Sequence, residues 1–436
     1  MKCPVCGQAD KVGHLKSFTY FSQAYEVKSC TRCDIWFYDP FPTPDYKNDL
    51  SNEFSLRHYL ETFAGIESIT GISENFFSNY AGESKNGLEI GAGFGFASHY
   101  LRSLHHVEMT SYEPSDYGTK GKELLGIPII SDYFRREEGK HYDFCITMEV
   151  LEHIEKPVDF LMEIQQSLNN RGKVLLTTPN KNAVDFTRMY PVDLSLLSPG
   201  MHTILFSDAS LKQILLRAGF SHVQVKLRDT TLYAIASNEP FSDKELFSLD
   251  QYKLSKYYEV IFKNSIVNSS LYKGIFYRLF RLKVDLGFYK EAVSLLHNNP
   301  SFYVLSEDEI EKIEKESDFS AFYSLSDSII YYYCGILYLN FSRKYEKAIQ
   351  LFRLSFLSCK KRLEIIPQFS IVDADIIWNA KLHEGIANEF SDRLDSALQC
   401  YTEILLHNKN LGHLPVPGEY ALREARNRGK SLFEKL

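Results

Sequence analysis

Two histidines lie in segments where an imidazole side chain could take a proton from a substrate. His153 ends the segment EVLEH, residues 149–153, and His202 lies in a Pro-Gly-Met-His loop ahead of a helical pattern. An imidazole titrates near neutral pH, so either side chain suits deprotonation of a hydroxyl or an enolisable carbon. The alternatives are structural: His153 in a cap that stabilises the fold, and His202 on a surface loop before a helix capped by Ser207 or Asp208.

The stretch LEIGAGFGFASHY, residues 88–100, joins an apolar strand, three glycines and the start of a helix. A strand that turns at once into a helix around a nucleoside needs glycine. The turn visits backbone angles that a side chain resists, and the main chain must approach the ligand without a Cβ. Gly91, Gly93 and Gly95 therefore predict a nucleoside-binding turn.

Apolar runs that end in an acid predict the sheet that positions these residues. The second run ends at Glu113, where a doubly wound fold places the acid that accepts both ribose hydroxyls. The third ends at Asp132, the fourth at Glu149, and a fifth covers 172–180. This order predicts an α/β fold with an open, doubly wound sheet. An α/β sheet that binds another nucleotide is the alternative.

The spacing E-x-G-x-G-x-G at 89–95 resembles the nucleoside-binding turn of class I S-adenosylmethionine (SAM)-dependent methyltransferases. The resemblance implies a Rossmann-like, seven-stranded methyltransferase sheet. It also implies a SAM site in which Asp132 and Tyr133 hold the adenine. The cofactor-binding residues that we assign are Glu89, Gly91, Ala92, Gly93, Gly95, Glu113, Pro114, Asp132, Tyr133 and Glu149.

The segment TMEVLEHIEKP, residues 147–157, resembles a motif of the ubiquinone-biosynthesis O-methyltransferases. That resemblance implies that Glu149, Glu152 and His153 are ligands of Mg2+, and on a helix their spacings of i, i+3 and i+4 would share one face. Similar sequences occur in SAM enzymes that bind no metal there, so a magnesium ion is an alternative. The interpretation that we adopt makes His153 and His202 the catalytic residues, as bases or as groups that position the acceptor.

Cys3, Cys6, Cys30 and Cys33 form two C-x2-C knuckles. Four thiolates so spaced converge tetrahedrally on Zn2+, which stabilises a segment too short to bury its own core. A closed four-cysteine site is structural. The other cysteines stand singly in apolar contexts and are expected to be buried thiols: Cys145, Cys334, Cys359 and Cys400.

An aromatic, proline-stopped segment, residues 34–42, follows the knuckles. It suits either a pad that closes over substrate or a surface that docks on the next domain. A four-cysteine ribbon leading into a SAM domain resembles bacterial methyltransferases of sugar, capsule and natural-product pathways, including nucleotide-sugar C-methyltransferases. The latter usually carry a further α/β domain, and the sequence beyond residue 238 does not show that pattern.

Helical spacing dominates from about residue 242. Three stretches, at 286–296, 343–352 and 393–401, share a polar turn, a small alanine and a large residue four positions later. They resemble tetratricopeptide repeats with an irregular period, and a plain helical bundle is the alternative. Such an array would hold a protein partner or a second subunit.

The bulk composition excludes several classes. The chain has 436 residues, 49 Lys and Arg against 56 Asp and Glu, and a net charge of −7. It shows no basic run for nucleic acid, no apolar run long enough to span a bilayer and no signal core, so a cytoplasmic location is expected. We expect a zinc ribbon at 1–45, a helical connector at 46–85, the methyltransferase domain at 86–238 and a helical domain at 239–436.

Three functions are compatible with these patterns. The first is methyl transfer from SAM to a hydroxyl or activated carbon of a small glycosyl or nucleotide-sugar-type acceptor. The second is O-methylation of an aromatic or quinone-type metabolite. The third is a SAM-binding scaffold that acts through its helical array. Tyr190 is a weaker candidate for stacking on a sugar or ring.

Overall fold

A computed structural model describes most of the chain, namely residues 2–20, 22–44, 53–63, 65–187, 191–267, 269–299, 326–365, 370–407 and 414–434. Two compact units divide it: residues 1–56 with 65–250, and residues 57–64 with 251–436. Tyr190 lies outside the described residues.

The first unit contains all the strands that the described residues form: β1 (Val12–Tyr20), β2 (Gln23–Cys30), β3 (Ile35–Tyr38), β4 (Asn86–Ile90), β5 (Glu108–Tyr112), β6 (Ile129–Ile130), β7 (Tyr142–Met148), β8 (Leu168–Pro179), β9 (Ile204–Phe206), β10 (His222–Arg228) and β11 (Thr231–Ser237). The helices in the described residues are α1 (Glu53–His58), α2 (Ile66–Phe76), α3 (Phe96–His105), α4 (Asp116–Leu125), α5 (Pro157–Gln166), α6 (Pro191–Leu197), α7 (Asp208–Arg217), α8 (Gln251–Asn264), α9 (Ser270–Asp285), α10 (Tyr289–His297), α11 (Asp327–Leu337), α12 (Tyr345–Ile365), α13 (Ile371–Phe390), α14 (Leu394–Leu406) and α15 (Glu419–Phe433).

Seven strands form one sheet in the order β10-β11-β8-β7-β4-β5-β6. Strands β4 to β8 run parallel, and β11 is antiparallel to both of its neighbours. Apolar side chains fill the central strands, since Leu88, Cys145 and Leu175 are fully buried, as expected for a parallel sheet covered on both faces. The predicted Rossmann-like class is confirmed.

A second sheet joins the cysteine-rich segment to the α/β fold. Its order is β1-β2-β3-β9, all antiparallel, and β9 comes from the loop that follows His202. Ile35 pairs with Phe206, and Phe37 pairs with Ile204. Both β3 side chains are buried in one apolar cluster with Leu88. The segment 34–42 therefore docks on the α/β fold through a shared strand pair.

The second unit is helical throughout its described residues, as predicted for the C-terminal half. Two helix pairs repeat one close contact. A Cβ on Gly335 would lie 2.6 Å from Phe352, and a Cβ on Gly385 would lie 2.6 Å from Tyr401. Phe352 comes four residues after Ala348, and Tyr401 comes four residues after Ala397. Both alanines are fully buried.

None of the helices in the described ranges combines the length and the apolar character that a membrane crossing requires.

Candidate active site

The turn after β4 is built from glycines in left-handed backbone conformations. The φ angles are 71° at Gly91, 53° at Gly93 and 86° at Gly95. A Cβ on Gly91 would lie 2.2 Å from Cγ2 of Val150, at the end of the neighbouring strand β7. The main chain at Gly91 thus has no room for a side chain at this edge of the sheet.

Glu113 is tied to this turn. One carboxylate oxygen accepts the N–H of Gly93 at 2.8 Å. The other accepts from Ser115, at 2.9 Å from its N–H and 2.6 Å from its hydroxyl. A carboxylate offers about four lone-pair sites. The carboxylate therefore keeps acceptor capacity for a further hydroxyl at the glycine turn.

Ala92, Pro114, Asp132 and Tyr133 lie around the same edge. The N–H of Ala92 donates to the carbonyl of Tyr112 at 3.0 Å, directly before Glu113 and Pro114. The N–H groups of Glu113 and Asp132 both donate to the carbonyl of Ile130, at 3.0 and 2.9 Å. Asp132 and Tyr133 are exposed, with 48% of Tyr133 open to solvent. They are thus available to a ligand lying over the turn.

Glu89 is turned into the core. Its carboxylate accepts from the hydroxyl and the N–H of Ser98, and the Ser98 hydroxyl lies 2.6 Å from that of Ser111. Burial raises the pKa of Glu89 to about 7, against the lowering effect of the Ser98 bonds. Glu89 fastens the first turn of α3 to β4, so it supports the glycine turn from beneath.

Glu149 does not share a helical face with Glu152 and His153, and that part of the sequence analysis is wrong. Its backbone is left-handed, with φ 54°, and only Leu151–His153 form a short 3-10 turn. Its carboxylate accepts from the Thr177 hydroxyl at 2.8 Å. Part of Glu149 is exposed to solvent, while desolvation by the surrounding protein and the nearby Glu152 raise its pKa to about 8.

Glu152 lies at the centre of a cluster with both candidate catalytic histidines. Its Oε1 is 3.8 Å from Nε2 of His153 and 3.9 Å from Nε2 of His202. The Thr178 hydroxyl donates to its Oε2 at 2.8 Å. The structure thus brings His153 and His202 together around a fully buried carboxyl, and His202 is not a surface residue. Burial raises the pKa of Glu152 to about 7.

Each histidine ring is oriented by a main-chain carbonyl. Nδ1 of His153 lies 3.0 Å from the carbonyl oxygen of Met201, and Nδ1 of His202 lies 2.9 Å from that of Leu196. A carbonyl oxygen can only accept, so Nδ1 carries the proton and Nε2 the lone pair in each neutral ring. Burial lowers the pKa of both, that of His202 to about 3, which keeps the rings neutral at neutral pH.

The structure places Ser207, rather than Asp208, at the cap of α7. Its hydroxyl accepts the N–H of Ser210 at 3.1 Å, and the Ser210 hydroxyl binds the N–H of Ser207 at 2.7 Å. This reciprocal cap fixes the chain at Ser207, directly after β9 and only five residues after His202.

The four ribbon cysteines form one cluster. Their sulfur atoms all lie within 4.8 Å of one another, and Sγ of Cys6 is 3.8 Å from Sγ of Cys30. Ligands at 2.3 Å from a tetrahedral ion are about 3.8 Å apart, so the separation of the Cys6 and Cys30 sulfurs matches that of two zinc ligands. Gly7 turns the first knuckle with φ 71°. The other four cysteines are all buried, as expected.

Polar contacts join the ribbon to the edge that carries His202. Lys181 follows β8 and lies 2.9 Å from Oδ1 of Asp34 and 5.2 Å from the centre of the Trp36 ring. The Ser207 hydroxyl donates to Asp34. The Trp36 ring in turn lies 5.3 Å from that of Phe186. The ribbon therefore contacts the segments that follow β8 and β9.

Sequence reasoning missed the residues that hold Glu149 and Glu152 and the contact that ties the ribbon to the α/β fold. Thr177 and Thr178 had a recognisable signal, since two hydroxyls end an otherwise apolar strand at its functional edge. The contact between Asp34 and Lys181 joins distant segments, and no local pattern indicates it.

Residues 68–225 match the family of the methyltransferase domain. This part of the chain is a methyltransferase domain, and the expectation from the glycine turn is confirmed at that level. No curated protein sequence matches the chain.

Solved methyltransferase structures align with less than half of the chain. A protein of Nostoc punctiforme, provisionally classed as an O-methyltransferase, is 18% identical over 45% of this chain and 64% of its own, with a TM-score of 0.37. Human N-acetylserotonin methyltransferase in complex with SAM is 16% identical over 43% and 55%, with a TM-score of 0.33. The plantazolicin methyltransferase BpumL, in complex with S-adenosylhomocysteine and a substrate analogue, is 15% identical over 43% and 90%, with a TM-score of 0.35. The chain thus spans less than two thirds of the first two proteins.

Proposed function

We propose that this chain is a SAM-dependent methyltransferase that methylates a hydroxyl or an activated carbon of a small acceptor. The observation that carries the proposal is the hydrogen bond from Gly93 to Glu113, which joins the glycine turn to a buried acid at the carboxyl edge of a methyltransferase sheet. Glu113 would hold the ribose, Asp132 and Tyr133 the adenine, and the turn would lie against the nucleoside.

SAM supplies a methyl group on a sulfonium, which is an excellent leaving group. The chain's own residues must align the acceptor, exclude water and take a proton. Nε2 of His153 takes the proton of the acceptor hydroxyl, because its lone pair is set by the Met201 carbonyl. The acceptor oxygen forms the new bond to the methyl carbon as the carbon–sulfur bond breaks. S-Adenosylhomocysteine and one proton are the remaining products.

In this proposal His202 and Glu152 do not take the proton themselves, and their effect is to position and stabilise the groups that react. The buried Glu152 lies between the two rings, and its negative charge favours the imidazolium that forms on His153. His202 fixes the loop 198–203, since its Nδ1 donates to the main-chain carbonyl of Leu196 at 2.9 Å and its N–H to that of Ser198 at 3.0 Å.

A small glycosyl or nucleotide-sugar-type molecule is the acceptor that we propose. The half-buried rings of Trp36 and Phe186 support it, because such a pair beside the site suits stacking on a sugar face. An aromatic or quinone-type metabolite is the second candidate, supported by the EVLEH segment. Incubation with labelled SAM and separate pools of nucleotide sugars, glycans and catechols distinguishes them, since labelling of catechols alone would reject the sugar acceptor.

Calorimetric titration with SAM tests the proposed function itself. We expect binding by the unmodified protein, a loss of at least tenfold in affinity with Glu113→Ala, and no change with Glu108→Ala, an exposed acid at the opposite end of the same strand. No detectable SAM binding by the unmodified protein would leave the third candidate, a scaffold that acts through its helices.

The helical unit is proposed to be a tetratricopeptide-like array that holds a protein partner or a second copy of the chain. The repeated contacts of Gly335 with Phe352 and of Gly385 with Tyr401 support the likeness. Light scattering over a concentration series separates self-association from a monomer that needs another partner.

A further inference from the structure

Three electron-pair donors converge between Glu152, His153 and His202. Oε1 of Glu152 is fully buried and has no hydrogen-bond partner in the described part of the chain. Nε2 of each ring carries a lone pair, because each Nδ1 donates to a carbonyl. A buried carboxylate oxygen without a donor costs free energy. A cation between the three atoms would remove it.

The distances suit a metal ion better than a direct hydrogen bond. Separations of 3.8 and 3.9 Å between Oε1 and the two ring nitrogens exceed hydrogen-bond length. Ligands about 2.1 Å from a tetrahedral ion lie roughly 3.4 Å apart, so the two distances from Oε1 to the ring nitrogens need to contract by only a few tenths of an ångström. The three ligand atoms all lie within 4.8 Å of one another.

The remaining polar atoms of these three side chains make the hydrogen bonds that metal ligands usually make to the surrounding protein. Each ring donates its other N–H to a main-chain carbonyl, and the second carboxylate oxygen of Glu152 is held by Thr178. Such contacts fix the tautomer and the orientation of ligands before the ion arrives.

We propose that Glu152, His153 and His202 bind a divalent ion of the zinc type, with an open position toward the acceptor. Two imidazoles and one carboxylate, with a fourth position free, are the usual ligands of catalytic zinc. The side chain of His153 is 20% exposed against 9% for His202 and 0% for Glu152, so the open side lies at His153.

This ligand set differs from the one that the EVLEH resemblance implies. Glu149 lies outside the cluster, because its left-handed backbone directs the carboxylate to Thr177. Magnesium prefers oxygen ligands and keeps several waters, whereas this set has two nitrogens. The residues do not fit a magnesium site made of Glu149, Glu152 and His153.

The site rests on the proposed function and changes one detail of it. With a cation on its Nε2 lone pair, His153 holds the ion, and the ion lowers the pKa of the acceptor hydroxyl. The proton then leaves to water before methyl transfer, rather than to the ring. The bonds made and broken to the methyl carbon are unchanged.

Metal content of the full chain tests the site. Zinc is removed with a chelator, the protein is reloaded with Zn2+ or Co2+, and bound metal is counted by mass spectrometry. We expect two ions per chain, one in the four-cysteine ribbon. The variants Glu152→Gln and His202→Asn should each retain one ion per chain. The matched control Glu149→Gln, which changes an acid outside the cluster, should retain two. In Cys30→Ser the remaining Co2+ should give the weak visible bands of nitrogen and oxygen ligands, without sulfur charge-transfer bands.

One ion per chain in the unmodified protein overturns the inference, and so does a second ion that neither Glu152→Gln nor His202→Asn removes. If the cluster variants fail to fold, the Co2+ spectrum of Cys30→Ser decides whether the second ion is bound by nitrogen and oxygen ligands. SAM binding, measured separately, decides the proposed function whatever the metal count.

Discussion

Gly91 and Val150 meet so closely that no side chain fits between them, since a Cβ on Gly91 would lie 2.2 Å from Cγ2 of Val150. The contact joins the turn after β4 to the end of β7. These are the two strand ends between which a doubly wound sheet holds its ligand.

Gly91→Ala is therefore expected to abolish detectable SAM binding and to lower the free energy of unfolding by about 2–4 kcal/mol, from backbone strain and overpacking together. Gly126→Ala is the matched control. Its φ of 67° is similar, but nothing lies within 4 Å of the added Cβ. It should lose only about 1–2 kcal/mol and keep its SAM affinity. Calorimetry and chemical denaturation measure both. Equal effects of the two substitutions would show that the turn has no steric role.

The sequence was sufficient for the glycine turn and for the succession of strands along the chain, because glycine spacing and apolar runs are local patterns. It failed at Glu149, where one residue in a left-handed conformation replaced the expected helix. It also gave no sign that β9 completes the ribbon sheet, since the pairing of Phe37 with Ile204 joins segments far apart in the chain. Strand partners across such distances depend on packing, and no local pattern records them.

Cys30→Ser is expected to remove one zinc ion per chain and to lower the thermal midpoint of the first unit. Loss of the ion loosens the knuckle that begins β3, and β3 shares its buried Ile35 with the core of the α/β fold. Mass spectrometry and calorimetry measure the two effects. Cys400→Ser, a buried thiol in the helical unit, should leave the zinc content unchanged. A ribbon variant that kept all its zinc would disprove the four-cysteine site.

Glu89 makes stability depend on pH. Its folded pKa of about 7 is above the ordinary 4.5, so the folded state binds the proton more tightly than the unfolded state. The stabilisation is complete below about pH 4.5 and is lost as the pH rises through 7. Glu89→Gln, which cannot ionise and can still accept from Ser98, should flatten this fall and gain up to roughly 3 kcal/mol at pH 8.

Denaturation of both proteins between pH 5 and 8 measures the difference. Identical slopes for Glu89→Gln and the unmodified chain would exclude a raised pKa at this position.

Two helical glycines separate close packing from helix propensity in the second unit. Gly385→Ala places a Cβ 2.6 Å from the Tyr401 ring and should cost about 1–3 kcal/mol. Gly429→Ala finds its nearest neighbour at 3.8 Å and should gain up to about 1 kcal/mol, because alanine favours a helix. Urea denaturation gives both values. A neutral Gly385→Ala would mean that the repeated glycine contact does not hold the helix pair together.

His153→Gln separates methyl transfer from cofactor binding. Glutamine keeps much of the volume of the ring but neither takes a proton near neutral pH nor binds a zinc-type ion well. We expect kcat to fall by about 10²–10⁴, the usual contribution of a positioned acid–base group. SAM affinity should change less than threefold, because the proposed ribose and adenine contacts are those of Glu113, Asp132 and Tyr133. Glu113→Ala should show the opposite pattern, with SAM affinity lost first. Radiolabel transfer to the acceptor identified in the pools gives kcat, and calorimetry gives the affinity. Normal turnover by His153→Gln would remove His153 from the reaction and leave its role in orienting the loop at Met201.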